Sequence, residues 1–234
     1  MNNLIIHTLI PARGGSKSIK KKNIKLYKKI PLLVHSIKLS KDIKIINKTV
    51  VSTDCSMTQE IAIKNGAEVP FLRPKNISGD LSTDYECFIH YVEWLKKNKK
   101  QIPDIIIHLR PTYPERSKIL LEDCIKIFIK NKNNYDSLRT VVPIEKSLFK
   151  MYLIDNKQLI PTYEKYKNIN KPYNQPRQIL PKTYLHNGCI DIINTKTLFS
   201  GSITGSKIYP YIMNENETYD IDTEEDWNKS LIHK

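Results

Sequence analysis

Glycine is scarce in this chain, seven in 234 residues, and cysteine is scarcer at four. Neither Gly-x-Gly-x-x-Gly nor Gly-x-x-x-x-Gly-Lys-Ser/Thr occurs, which excludes the two commonest glycine-rich phosphate cradles. Cys55, Cys87, Cys124 and Cys189 are scattered with no Cys-x-x-Cys pair. That spacing argues against a zinc site and suits reduced thiols in the cytoplasm. No apolar run approaches the roughly 20 residues of a membrane span. Met1-Asn2-Asn3 leads into no basic-then-apolar leader, so neither membrane association nor secretion is expected. The histidines, His7, His35, His90, His108, His186 and His233, fall in no motif, and no nucleophile-and-base arrangement is legible.

Arginine is also rare: only six of the 38 basic residues, against a net charge of +14. The remaining lysines are spread over helix faces and loops instead of being gathered on one surface with interleaved aromatics, so no nucleic-acid partner is expected. Anionic substrates would still be drawn to such a protein.

What the chain does have is a core-forming hydrophobic share of 40%, enough for one domain. Short apolar runs alternate with amphipathic stretches. Leu4–Ile10, Lys48–Asp54, Asp104–Leu109 and Ser137–Val142 read as strands. Ser56–Asn65, closed by Gly66, Thr83–Lys97, capped by Ser82 or Thr83, and Ser117–Lys130 read as helices. This order predicts a mixed, mostly parallel sheet with helices on both faces. After Pro143 the rhythm changes. Lys150–Ile154 and Gln158–Ile160 flank Asp155-Asn156-Lys157 as a β-hairpin, and Tyr163–Lys182 has no clear period. Such a long tract is expected to be an arm that folds against a partner subunit. Strands return at Tyr184–Ile193 and Lys207–Met213, and Glu224–Leu231 reads as a closing helix.

Three constellations point to chemistry. The strand Leu4–Ile10 empties at Pro11 into a basic loop carrying Arg13, Gly14, Gly15, Lys17 and Lys22. Cations and close backbone approach in such a place suit phosphate. Near the end of the chain, Asp220 and Asp222 share one face of an extended segment, a hard-oxygen pair suited to Mg²⁺ together with substrate phosphates. Thr223 and the acidic residues after it suit a helix start. Finally, Leu109-Arg-Pro-Thr-Tyr-Pro-Glu-Arg116 sits where a parallel strand ends, the place open α/β sheets hold ligands. There Arg110 is placed to bind a carboxylate or phosphate, and Arg116 supports the loop or starts the following helix.

Together these segments resemble the N-acylneuraminate cytidylyltransferase family, the CMP–sialic acid synthetases and relatives that activate other nonulosonic acids. The resemblance rests on Ala12-Arg13, Ser16-Lys17 and Lys22-Asn23, on Arg73-Pro74 and Ser78-Gly79-Asp80 through Asp84, and on Leu109 to Arg116. It continues through Gln175-Pro-Arg-Gln178, Leu180-Pro181, Asn187-Gly188-Cys189-Ile190 and Asp220 to Thr223, in order over essentially the whole chain. It implies a Rossmann-like, GT-A-like nucleotidyltransferase domain over 1–234 with a dimerisation arm inserted at 144–183, and a homodimer whose arm completes the neighbour's active site. It also implies the reaction, attack of a sugar's anomeric hydroxyl on the α-phosphate of CTP to give CMP-sugar and pyrophosphate. By position, Arg13, Lys17 and Lys22 bind the triphosphate, while Asn23, Arg73, Ser82 and Asp84 hold cytosine and ribose. Asp220 and Asp222 bind Mg²⁺, and Lys150, Arg177 and Arg110 serve the sugar. Arg13, Lys22 and Asp222 are then the residues expected to carry the chemistry. Many sialic acid enzymes have Gln where this chain has Arg110, which leaves the choice among N-acetylneuraminate, legionaminate, pseudaminate and other ulosonic acids open. The alternatives are another sugar nucleotidyltransferase or a glycosyltransferase on a related fold, and more remotely a nucleic-acid-binding protein.

Overall fold

Residues 4–214 and 219–232 are described by a computed structural model; Met1-Asn2-Asn3 and His233 lie outside the described residues. Along the chain, β1 (Ile6–Pro11) leads to a small hairpin of β2 (Leu26–Tyr27) and β3 (Ile30–Pro31). There follow α1 (Leu32–Lys41), β4 (Lys48–Ser52), α2 (Ser56–Lys64), α3 (Asp84–Lys97), β5 (Ile105–His108), α4 (Lys118–Asn131) and β6 (Ser137–Ile144). An intervening segment pairs β7 (Tyr152–Asp155) with β8 (Gln158–Pro161), and β9 (Lys165–Tyr166) with β10 (Ile169–Asn170). The chain then returns through β11 (Thr183–Asn194), the single turn α5 (Thr195–Leu198), β12 (Ile208–Ile212) and α6 (Glu224–Ile232).

Six strands form the main sheet in the order β12-β6-β11-β5-β1-β4. Only β11 runs against its neighbours; β1, β4 and β5 are mutually parallel, as are β6 and β12. The sheet is therefore mixed and mostly parallel, as the pattern of apolar runs predicts. Alternation along the central strands splits the core between two faces. Ile105, Ile107 and Leu109 pack with Leu33 and Ile37 of α1 and Leu121 and Phe128 of α4. Ile106 and Leu9 pack on the other side with Phe88, Tyr91, Val92 and Leu95 of α3.

Local chemistry sets the helix ends. Thr83 and Glu86 close a capping box at the start of α3, which satisfies two backbone donors the first turn leaves unpaired. Ser117 accepts from the Leu120 amide at the start of α4. Gly66 ends α2 at φ +83°, a conformation that favours glycine. Helix α1 escapes the sequence reading because Pro31 precedes it with no side-chain cap, so nothing polar marks its start.

Asn156 and Lys157, both at positive φ, turn the β7–β8 hairpin, in keeping with the sequence expectation. This hairpin leaves Leu153, Ile154 and Leu159 64%, 78% and 66% exposed. The tract beyond it has more order than its composition suggests, with the β9–β10 pair and short 3-10 turns at Pro172–Asn174 and Arg177–Ile179. Among the described residues, no helix is long and apolar enough to cross a membrane.

A satellite core of Ile19, Tyr27, Leu32, Ile221 and Trp227 ties the basic loop, the β2–β3 hairpin and α6 together. Tyr27 and Trp227 meet edge to face at 5.9 Å, and the single Tyr27 O–H proton is shared between Glu115 at 2.9 Å and the Ser230 carbonyl at 3.1 Å. Trp227→Ala is therefore expected to destabilise the protein by about 3 kcal/mol or more. Urea denaturation of the variant checks this; a loss below about 1 kcal/mol would show that α6 is not held by this contact.

Candidate active site

The carboxyl ends of β1 and β5 open into a cleft of about 450 Å³. Arg13, Asn23, Arg73, Ser82, Asp84, Arg110, Asp220 and Asp222 all line it, so residues spread over 210 positions of sequence meet at one place. Lys17 and Lys22 join them through ion pairs with Asp80 and Asp222.

The basic loop is held from beneath. The Asn23 amide donates to the Arg13 carbonyl at 2.9 Å, and the Gly14 N–H donates to Asp54 at 2.8 Å. A Cβ at Gly14 would lie 2.8 Å from that of Cys55, so only glycine lets the loop pack this closely onto the start of α2. Arg13 then reaches the Gly79 carbonyl at 2.7 Å and Asp80 at 3.0 Å. Ser82 accepts from the Gly79 amide at 2.9 Å and so shapes the turn that presents Asp80. Arg73 is buried, with its Nε free of any hydrogen-bond partner among the described residues.

On the opposite wall, the Ile221 N–H donates to the Thr112 carbonyl at 2.9 Å. This anchors the segment that carries both aspartates. Lys22 Nζ donates to Asp222 at 2.9 Å and to the Ile221 carbonyl at 3.1 Å. Asp220 is the more buried of the pair, and its Oδ1 has no hydrogen-bond partner among the described residues. No group of three or more His, Cys, Asp or Glu is placed to hold a metal among the described residues. Two carboxylates with one orphaned buried oxygen nonetheless fit a hard divalent cation that completes its shell with substrate phosphates and water.

The floor of the cleft is a network that sequence motifs do not signal. Arg110 donates through Nη1 to Asp191 and to the Gly188 carbonyl, and through Nη2 to Asp84, each at 2.9 Å. His186 Nε2 donates to the other oxygen of Asp191 at 2.9 Å. Strand register assembles this group: antiparallel β11 sets Asp191 opposite His108 on β5 and opposite Arg139 on β6. A bulge between His186 and Asp191, with Gly188 at φ +74°, turns the Gly188 carbonyl towards Arg110. Burial and the Arg110 charge push His108 down to about 3, leaving a neutral ring at physiological pH. Burial pushes the Asp84 and Asp191 carboxyls up, but cationic and hydrogen-bonding neighbours outweigh it and hold both below the usual range. Arg116 supports the loop as expected, donating to the Cys189 and Tyr113 carbonyls at 2.6 and 2.7 Å.

Lys150 and Arg177 are not brought into this cleft within the single chain. Lys150 donates to the Tyr173 carbonyl at 3.3 Å, and Arg177 bonds the Glu145 carbonyl at the base of the arm.

A family profile described as "Cytidylyltransferase" matches residues 7–190. The chain belongs to the cytidylyltransferase family. It is 32% identical over 229 residues to a pseudaminic acid cytidylyltransferase of Campylobacter jejuni, covering 97% of this chain and 93% of that one. It is 30% identical over 227 residues to a CMP-N,N'-diacetyllegionaminic acid synthase of Legionella pneumophila, covering 95% and 93%. Among solved structures, CMP:2-keto-3-deoxy-manno-octonic acid synthetase complexed with CTP superposes with a TM-score of 0.68 at 15% identity, covering 97% of both chains. That last likeness concerns the fold.

In this cytidylyltransferase the acidic pair carries a pH signature. Burial pushes the Asp220 carboxyl up to about 6, and the charge of Asp222 adds to the rise against a hydrogen bond from Thr112 and the Lys22 cation. The folded value lies above the unfolded one, so the native state keeps a proton that the unfolded chain has released. The resulting stability is present below about pH 4 and lost as pH rises through about 6. Without divalent metal, Asp220→Asn is expected to raise the melting temperature near pH 8 and leave it unchanged near pH 4. Thermal melts at the two pH values check this; equal shifts at both would place Asp220 in an unstrained site.

Proposed function

We propose that this cytidylyltransferase activates a nonulosonic acid with CTP, giving the CMP-sugar and pyrophosphate. The observation that carries the reading is the meeting of three cations from the basic loop with Asp220 and Asp222 across one cleft. The names of the relatives, a pseudaminic acid cytidylyltransferase and a CMP-N,N'-diacetyllegionaminic acid synthase, support the acceptor class.

The anomeric hydroxyl of the sugar loses its proton to solvent as its oxygen bonds the α-phosphorus and the bond to pyrophosphate breaks. Such a transfer needs charge neutralisation and alignment more than a covalent nucleophile, which suits a cleft of Arg, Lys and Asp. Arg13, Lys17 and Lys22 take the triphosphate, exchanging their carboxylate partners for phosphate oxygens. Asn23, Arg73 and Ser82 border the nucleoside, with Asp84 beside them. Asp220 and Asp222 would hold Mg²⁺, which when bound would offset the charge gathering on the phosphates. Four free cysteines suit an enzyme working in the cytoplasm. The apolar β7–β8 hairpin is a docking element for a second copy, whose arm brings Lys150 and Arg177 to the neighbouring cleft in a homodimer.

Pyrophosphate release from CTP with a set of nonulosonic acids tests the reading; no turnover with any of them would end it. Asp222→Ala is expected to cut kcat by about 100-fold or more, with the melting temperature kept. Arg13→Ala is expected to raise KM for CTP about tenfold or more; an unchanged KM would remove Arg13 from the phosphate site. Ile154→Asp with Leu159→Asp is expected to convert a dimer into a monomer in sedimentation. A double variant that sediments as the wild type does would move the interface elsewhere.

A further inference from the structure

Arg110 lines the cleft outside the basic loop, yet it is not an open anion receptor. Two carboxylates, Asp84 and Asp191, each hold it at 2.9 Å, and the Gly188 carbonyl takes a further N–H at the same distance. A guanidinium has five N–H donors, so three contacts leave two for a ligand. Arg139 Nε also lies 3.4 Å from Asp191, so two cations and two carboxylates balance and the cluster offers no net positive charge to an incoming anion. A sugar carboxylate arriving here would meet repulsion from Asp84 and Asp191 at close range, in surroundings where like charges are poorly screened.

The groups beside Arg110 carry the same message. His108 is fully buried, lines the cleft, and has neither ring nitrogen hydrogen-bonded among the described residues. A neutral imidazole offers one donor and one acceptor, which matches a hydroxyl or an amide and mismatches a carboxylate. His186, also on the cleft wall, spends its Nε2–H on Asp191. Asp191 itself is only 3% exposed and contacts the ligand space through Arg110 and His186.

We propose that Arg110, clamped between Asp84 and Asp191, reads an uncharged oxygen on the acceptor sugar, an acylamido carbonyl or a hydroxyl, and leaves the sugar's carboxylate to other cations. Asp191 and His186 are positioning residues that aim the two remaining Arg110 N–H groups. The inference rests on the cytidylyltransfer reading above and narrows it: this end of the cleft sorts sugars by their neutral substituents. Asp191 is the buried partner that fixes the Nη1 side of the guanidinium, while the more exposed Asp84 holds only Nη2.

The test compares kcat/KM for pairs of nonulosonic acids that share the carboxylate and differ in one acylamido-for-hydroxyl replacement, N-acetylneuraminate and its 5-hydroxy analogue among them. The wild type is expected to distinguish the members of at least one pair on the order of tenfold. Arg110→Gln is expected to collapse that ratio towards one while KM for CTP stays within about twofold. A wild-type ratio near one for every pair, or a variant that loses the same factor on both members, would show that Arg110 reads the shared carboxylate and overturn the proposal. Asp191→Asn is expected to act like Arg110→Gln on the ratio, and Asp191→Glu to restore part of it. The clamp has a readout independent of turnover. Protein carrying ¹⁵N-labelled arginine has six side chains to assign, and Arg110 is expected to show slowly rotating, resolved Nη–H signals that merge in Asp191→Asn. A freely rotating Arg110 in the wild type would overturn the clamp whatever the sugar. Absence of turnover with every sugar acid, with Arg110 still held, would end the cytidylyltransfer reading and the sugar-sorting role together while keeping the clamp.

Discussion

A carboxylate in the middle of a sheet dictates the floor of this cleft. Asp191 stands in a strand of apolar residues, between Ile190 and Ile192, and is almost wholly buried. An unpaired ionised group there would be strongly unfavourable, so everything around it must compensate. The register of β11 brings His108 and Arg139 to its two sides. The bulge carrying Gly188 lets the chain deliver His186 from the same strand, and Arg110 comes from the end of β5. Arg110 is then held so firmly that it draws Asp84 at the start of α3 into the same network. Because β11 lies between β5 and β6 in the sheet, a single side chain on it can meet residues of both at this depth.

The upper wall of the cleft follows a different electrostatic rule. Arg13 and Lys17 rest on Asp80, and Lys22 rests on Asp222. Asp80 and Asp222 are substantially exposed, and exposed pairs contribute little, of order 0 to 1 kcal/mol. These contacts therefore hold the cations in place without holding them back from a phosphate. The floor is held because its contacts converge on Asp191, whose side chain is only 3% exposed; the wall is exchangeable because its carboxylates, Asp80 and Asp222, are wet. That difference separates the part of the cleft suited to a triply charged ligand from the part suited to a neutral one.

Much of this was legible from sequence where the signal is local. Ser82 or Thr83 announces α3, Gly66 ends α2, and Asp155-Asn156-Lys157 turns a hairpin, since each depends on neighbours a few residues away. The basic loop and the Asp220–Asp222 pair were legible for the same reason, as strand-end and pre-helix features. The floor was not. Asp191 lies next to the Asn187–Ile190 motif, yet its meaning depends on which strand β11 pairs with and in what register, and no window of sequence contains that. The one available signal was a lone carboxylate inside an apolar strand run. His108, likewise, looked like an isolated histidine until the alternation of β5 placed it on the face of Ile106. Helix α1 was missed because Pro31 begins it without a polar cap.

The satellite core explains how wall and acidic pair stay in step. Ile221, between the two aspartates, is fully buried with Ile19 from the basic loop and Trp227 from α6. Lys25 sits 4.4 Å over the Trp227 ring and pairs with Glu224 at 3.0 Å. Displacing the loop would therefore expose Ile19 and loosen Ile221, and with it the carboxylates on either side. The cations and the acidic pair are two ends of one small hydrophobic unit, so their separation is set by apolar packing, which ionic strength does not screen. A site that sets cations and carboxylates across one cleft gains from having their spacing fixed by a force indifferent to charge.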